Sequence, residues 1–234
     1  MKLFYLLAII IGAALASLLG TSLVVSHASG AELYDWSPPA DHHAAVCRIK
    51  AGDHEGSGCY VRHGHFAFVL TAAHVARHTA TATATFPSGA TVTGKTYCDR
   101  NYNPSRSQSA YDLCAILIDE LDITPVEIAS GGEMSRIEIC GSDMVDLGEV
   151  RHYLADITDV GSQIFTTNGR VLNGDSGGPW LSDGKLVGVS STGSQPIARS
   201  NRGRQIFNMS VSTNTQSVQD FVKRMHDGHC YVQS

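Results

Sequence analysis

Asn173-Gly174-Asp175-Ser176-Gly177-Gly178-Pro179 sets one hydroxyl among three glycines. Glycine adopts backbone angles that other residues avoid and lets a second backbone or a substrate come close. A tight loop of this kind would hold Ser176 outward, with amide N–H groups converging beside it. Acyl transfer needs that combination: a nucleophile, and donors aimed at the oxyanion that forms when it attacks a carbonyl. Taken alone, the same stretch also reads as a Gly-rich surface turn capped by Asp and Ser. A serine hydroxyl is a weak nucleophile, so it needs a base, and the base needs an orienting group. Two upstream stretches can supply them. Thr71-Ala72-Ala73-His74 follows the apolar run Phe66-Ala67-Phe68-Val69-Leu70, which reads as a buried strand ending in a histidine. Tyr111-Asp112-Leu113 sets a carboxylate just ahead of a second apolar strand, Cys114-Ala115-Ile116-Leu117-Ile118.

The chain order His, Asp, Ser is that of the chymotrypsin-type triad. Thr-Ala-Ala-His, Asp-Leu-x-x-Ile-Leu and Gly-Asp-Ser-Gly-Gly-Pro together resemble the trypsin-like (chymotrypsin-fold) serine peptidases, over residues 43–225. The resemblance implies an endopeptidase acting through an acyl-enzyme. Ser176 would be the nucleophile, His74 the general base, and Asp112 its orienting carboxylate, with Asp99 the nearest substitute for Asp112. The N–H groups of Gly174 and Ser176 would form the oxyanion hole, and no cofactor is needed. In the family, the residue six positions before the nucleophile lies at the base of the pocket for the side chain preceding the cleaved bond. Here it is Arg170, so a preference for Lys or Arg has no support. An inward Arg170 would favour an acidic side chain. With a shifted register, Val171 or Ser190 would line a small neutral pocket instead. The family's Ile-Val-Gly-Gly start, whose new amine pairs with the Asp before the serine, is missing, so Asp175 needs another partner or a preformed loop. The short spacings between the three residues look more like bacterial or viral members. Two other readings compete: a catalytically silent binding protein of the same shape, and an esterase. All three triad residues are present, which argues against the first. Ser176 comes last, unlike the Ser-acid-His order of α/β-hydrolases, which argues against the second.

Elements that could position these residues follow from the rest of the chain. Met1-Lys2 precedes an apolar, uncharged run over residues 3–25. One positive residue and an apolar run read as a secretory signal, although about 20 apolar residues also suffice to span a bilayer. Residues 1–30 are therefore a cleaved signal or an uncleaved anchor, with the remainder secreted or extracytoplasmic in either case. Residues 31–42, with Pro38-Pro39, form an extended lead-in. A net charge of −5 and no basic run give no sign of nucleic-acid binding; the partner expected is a polypeptide substrate. Short, β-branched stretches recur from residue 45 onward, at 45–49, 59–62, 66–70, 79–85 and 90–97, then at 137–140, 150–157, 163–166, 179–181, 186–190 and 204–211. Asp183-Gly184 reads as a hairpin turn. Residues 215–225 put Val218, Phe221, Val222 and Met225 at helical spacing. The expected fold is all-β: two antiparallel β-barrels packed together with the active site between them, and a short C-terminal α-helix. The peptidase domain spans 43–226, with barrels over about 43–122 and 131–212 and a tail at 227–234.

Six cysteines behind a secretory signal suit disulfides. Strand neighbours suggest Cys47–Cys59 and Cys98–Cys114, leaving Cys140–Cys230. The absence of any C-x-x-C spacing argues against a zinc ribbon. His42, His43, His54, His63 and His65 crowd the early part of the chain and read as solvated turn residues, with no metal site expected. Asn208-Met209-Ser210 is a glycosylation sequon inside an expected strand and carries little weight.

Overall fold

In a computed structural model, residues 37–234 form one unit. The structure describes residues 41–104, 109–131, 136–142, 149–160, 163–166, 174–194, 198–199, 205–206 and 209–232. The expected signal or anchor, the lead-in before Asp41, Arg170, Val171 and the sequon's Asn208 lie outside the described residues. No described helix is long and apolar enough to cross a membrane.

A 3-10 turn, Asp41–Ala45, leads into β1 (Val46–Ala51), β2 (His54–His63) and β3 (Phe66–Thr71). β4 (Thr81–Thr85), β5 (Thr91–Cys98) and β6 (Cys114–Leu117) complete the first half. The sheet runs β5-β4-β1-β2-β3-β6, and β5 also pairs with β6, so the six strands close on themselves. The Thr/Ala alternation of β4 divides as its pleat requires: Ala82 and Ala84 are buried, and Thr83 bonds across to Thr93 on the outer face.

The second half contains β7 (Arg136–Ser142), β8 (Val150–Val160), β9 (Gln163–Thr166), β10 (Pro179–Ser182) and β11 (Lys185–Ser194). After a two-stranded ribbon of β12 (Ala198–Arg199) and β13 (Gln205–Ile206) comes β14 (Met209–Thr213). β10-β11-β14-β9-β8-β7 form a closed barrel. The all-β expectation therefore holds, with both halves curled. The single expected strand at 204–211 is two, β13 and β14.

Ile137, Ile139, Ala155, Trp180 and Val187 fill the second barrel. The larger core cluster joins the first barrel to Cys140, Leu181, Leu186 and Val189 of the second, so the seam between the barrels is apolar and buried. The terminal helix, Thr215–His226, starts where the Asn214 side chain accepts the Ser217 N–H at 2.8 Å. It lays Val218, Phe221 and Val222 onto the same cluster, as their spacing predicts. β15 (Tyr231–Val232) then returns to pair with β5.

The cysteine pairing is corrected in two of three places. Cys98 and Cys114 are bonded, directly across the β5–β6 ladder. Cys47, Cys59, Cys140 and Cys230 are free thiols. The register explains the first failure: Cys47 faces Gly58 and Cys59 faces Val46, so adjacent ladder positions send the two thiols to opposite faces of the sheet. The return of the C-terminus along β5 explains the second, since it carries Cys230 to Asp99 rather than to β7.

Candidate active site

His74 is reached differently from expectation. β3 stops at Thr71, and His74 sits in a one-turn helix, Ala73–Ala76, with Ala73, Val75 and Ala76 buried beneath it. Burying those three small or branched residues turns the imidazole to the surface side, where it remains partly exposed. Asp112 stands between a 3-10 turn, Ser109–Tyr111, and β6, and is 2% exposed. Its Oδ1 accepts the His74 backbone N–H at 2.8 Å, and its Oδ2 lies 2.7 Å from His74 Nδ1. Ser191 Oγ donates to the same Oδ2 at 2.6 Å. A buried carboxylate with three such partners is satisfied rather than stranded. Tyr102 lies nearby, its phenol pushed up by burial and by the Asp112 charge, against the pull of Arg77. Asp99, the substitute candidate, is committed elsewhere: its carboxylate pairs with Arg224 of the terminal helix and accepts the Asn101 N–H.

Ser176 is half-buried in the turn between β9 and β10. Its carbonyl accepts the Ser57 N–H at 2.8 Å, while Ser57 Oγ donates to the Gly174 carbonyl at 2.6 Å and accepts the Ser142 N–H at 2.8 Å. Thr71 Oγ1 in turn donates to the Ser57 carbonyl. Ser57 on β2 thus fastens the Ser176 turn to the barrel that carries His74 and Asp112. Gly177, at φ +85°, has to be glycine, because a Cβ there would stand 2.2 Å from Thr71 Oγ1. Among the described residues no hydrogen bond occupies the N–H of Gly174 or Ser176, whereas those of Gly177 and Gly178 go to Ser190 and Asp175.

Asp175 is fully buried and has the partner that the sequence left open. Arg151 on β8 forms an ion pair with its Oδ1 at 2.9 Å, and the Tyr153 hydroxyl donates to its Oδ2. Gly141 makes room for this carboxylate, since a Cβ there would stand 2.1 Å from Oδ1. Arg151, Tyr153 and Gly141 share one face of the β7–β8 ladder, as alternation demands. Ser190, expected in the substrate pocket, is 1% exposed, and its Oγ accepts the Trp180 indole N–H at 2.7 Å.

Sequence reasoning missed Ser191, Ser57 and the Arg151–Tyr153 pair. No motif marks them, and each owes its place to long-range pairing. The solvated-turn reading of the histidines holds for His54, His63 and His65, which are exposed, and fails for His42 and His43. His43 is buried, and both rings meet Glu138.

The fold is found in solved serine proteases of 16–19% identity. Mouse neuropsin superposes with a TM-score of 0.61 at 19% identity, over 80% of this chain and 96% of that one. A serine endoprotease from Yersinia pestis gives 0.60 at 17%, over 82% and 69%. A human pathogenic astrovirus serine protease gives 0.52 at 16%, over 75% and 95%. No curated protein matches the sequence. The family of the trypsin-like peptidase domain does match, over residues 56–189, which hold His74, Asp112 and Ser176 together with the strands that carry them. The chain belongs to the trypsin-like peptidases.

Proposed function

We propose that residues 43–226 are a serine endopeptidase that hydrolyses peptide bonds through Ser176, His74 and Asp112. The carrying observation is the double hold of Asp112 on His74, through the backbone N–H and through Nδ1, with Ser191 completing the carboxylate. With Nδ1 facing Asp112, Nε2 is the nitrogen left to act as base. It takes the Ser176 hydroxyl proton as Oγ bonds to the scissile carbonyl carbon, and Asp112 stabilises the imidazolium that results. The N–H groups of Gly174 and Ser176 receive the oxyanion. The imidazolium then gives its proton to the leaving amine. Water, activated by the same base, releases the acyl group and restores Ser176.

Arg151 and Tyr153 hold Asp175 where trypsin uses a newly cut N-terminal amine, so the Ser176 turn forms without prior cleavage. We place the domain outside the cytosol, secreted or tethered by residues 3–25. The Cys98–Cys114 disulfide fits an oxidising compartment.

Reaction with a fluorophosphonate probe tests the reading. The wild-type chain should be labelled once, at Ser176, and Ser176→Ala should not be labelled. A folded wild-type protein that stays unlabelled would overturn the enzyme and favour the silent binding protein.

A further inference from the structure

Outside the candidate active site, three imidazoles converge on one carboxylate. Glu138 on β7 places Oε2 2.9 Å from His42 Nε2, and Oε1 2.7 Å from His43 Nε2 and 2.9 Å from His152 Nδ1. The ligand atoms of His42, His43 and Glu138 all lie within 4.8 Å of one another. The His43 ring lies 4.6 Å from the rings of both His42 and His152. His43 is 4% exposed, and its Nδ1 makes no hydrogen bond, so its orientation is set at Nε2, toward Glu138.

The four residues come from separate parts of the fold. His42 and His43 belong to the 3-10 turn that feeds β1 of the first barrel. Glu138 and His152 are diagonal neighbours on the outer face of the β7–β8 ladder, with Cys140 opposite His152. On the opposite face of β8, the flanking residues Arg151 and Tyr153 hold Asp175.

We propose that His42, His43, His152 and Glu138 form a structural zinc site that joins the entry to the first barrel to the wall of the second. The donor set narrows the metal to a borderline transition ion, of which zinc is the one proposed. Zinc takes imidazole nitrogen and carboxylate oxygen in four-coordinate sites. Calcium and magnesium want oxygen ligands throughout, and copper(I) wants thiolate or thioether sulfur, which this set lacks. His42, His43 and Glu138 form the compact trio, and His152, which shares Glu138 Oε1 at 2.9 Å, is the fourth ligand that would close on the ion to fill a four-coordinate shell, as in structural zinc sites. On binding, the cation takes the lone pairs of the three facing nitrogens. Any proton on a facing nitrogen moves to the other ring nitrogen or to solvent. The site does not depend on Ser176, so it can be tested whatever the outcome for peptidase activity.

The test uses the full chain, stripped with a chelator and titrated with ZnCl2 by calorimetry and with CoCl2 by visible absorption. The expected result is one Zn2+ per chain, a melting temperature raised by several degrees, and the intense visible bands of four-coordinate Co2+. Glu138→Gln and His152→Asn should each lose the Co2+ bands and the thermal shift. The double variant His54→Ala/His78→Ala, which removes an exposed stacked pair, should keep both. Should Glu138→Gln fail to fold, the half-buried His152→Asn and the wild-type Co2+ spectrum still decide. A wild-type spectrum without four-coordinate bands overturns the proposal, as does zinc affinity equal in wild type and His152→Asn, or lost in His54→Ala/His78→Ala.

Discussion

Arg151→Met keeps an unbranched apolar stem and removes the guanidinium with its charge. The variant leaves the buried Asp175 carboxylate without the guanidinium now 2.9 Å away. Removing one partner of a buried ion pair costs about 3–5 kcal/mol, because a charge stays behind in a poorly solvating interior. The lower end applies here, since the Tyr153 hydroxyl still donates to the other carboxylate oxygen. Asp175 sits next to Ser176 and its carbonyl accepts the Gly178 N–H, so the penalty falls on the turn that shapes the proposed nucleophile. At about 1.4 kcal/mol per tenfold, a cost of about 3 kcal/mol lowers kcat/KM by roughly a hundredfold. The assay is steady-state hydrolysis of a peptide substrate together with the rate of fluorophosphonate labelling, each beside a thermal melt. Both rates should fall, and Tyr153→Phe should lower them less. Adding Asp175→Asn to Arg151→Met should recover part of the lost melting temperature, because the stranded charge is gone. Wild-type kcat/KM and melting temperature in Arg151→Met would refute the claim that this pair preforms the turn.

Ser176→Ala, His74→Ala and Asp112→Asn should each lower peptide hydrolysis by about a thousandfold or more without unfolding the protein, and the double variants should lose little beyond the singles. Circular dichroism and steady-state kinetics check this together, and wild-type rates in Ser176→Ala would end the peptidase reading. The free thiols should resist iodoacetamide at pH 8 in the native protein. Burial pushes Cys59 up to about 12 and raises Cys47 and Cys140 well above the ordinary thiol, while burial and then the Asp99 charge raise Cys230 to about 11. Mass spectrometry should find four alkylated cysteines only after unfolding without reductant. Because no carboxylate stands six positions before Ser176, a peptide library should show no preference for Lys or Arg before the cleaved bond. Loss of an acidic preference in Arg170→Ala alone would place that guanidinium in the pocket.

The sequence was most informative where function forces unusual local chemistry. Three glycines around Ser176 read as a surface turn until His74 and Asp112 are set beside them, and the apolar runs before His74 and after Asp112 read directly as β3 and β6. The hairpin at Asp183-Gly184 and the spacing of Val218, Phe221 and Val222 were equally local and equally legible. What stayed hidden depends on register. Whether Cys47 can meet Cys59 turns on a single-position offset between β1 and β2. Arg151 and Tyr153 look like any charged and aromatic residues on a strand until β8 is set beside the Ser176 turn. His42 and His43 resembled solvated residues because Glu138, nearly a hundred positions away, could not be seen from their neighbourhood.

The bonds of Ser57 divide the work between the halves of the chain in a particular way. His74 and Asp112 belong to the amino-terminal half and Ser176 to the carboxy-terminal half, so neither half holds the whole of the proposed triad. One hydroxyl and one amide of β2 grip Gly174, Ser176 and Ser142 across the seam, beside the Ser191–Asp112 bond and the shared apolar core. The crossover adds bonds of its own, from the Val126 N–H to the Tyr60 carbonyl and from the Ala129 N–H to the Leu186 carbonyl, and these survive a cut elsewhere along it. A chain nicked in the crossover would therefore remain competent as long as the halves stayed docked. Two separately made fragments would be inert until they associated, and peptide cleavage would report their association.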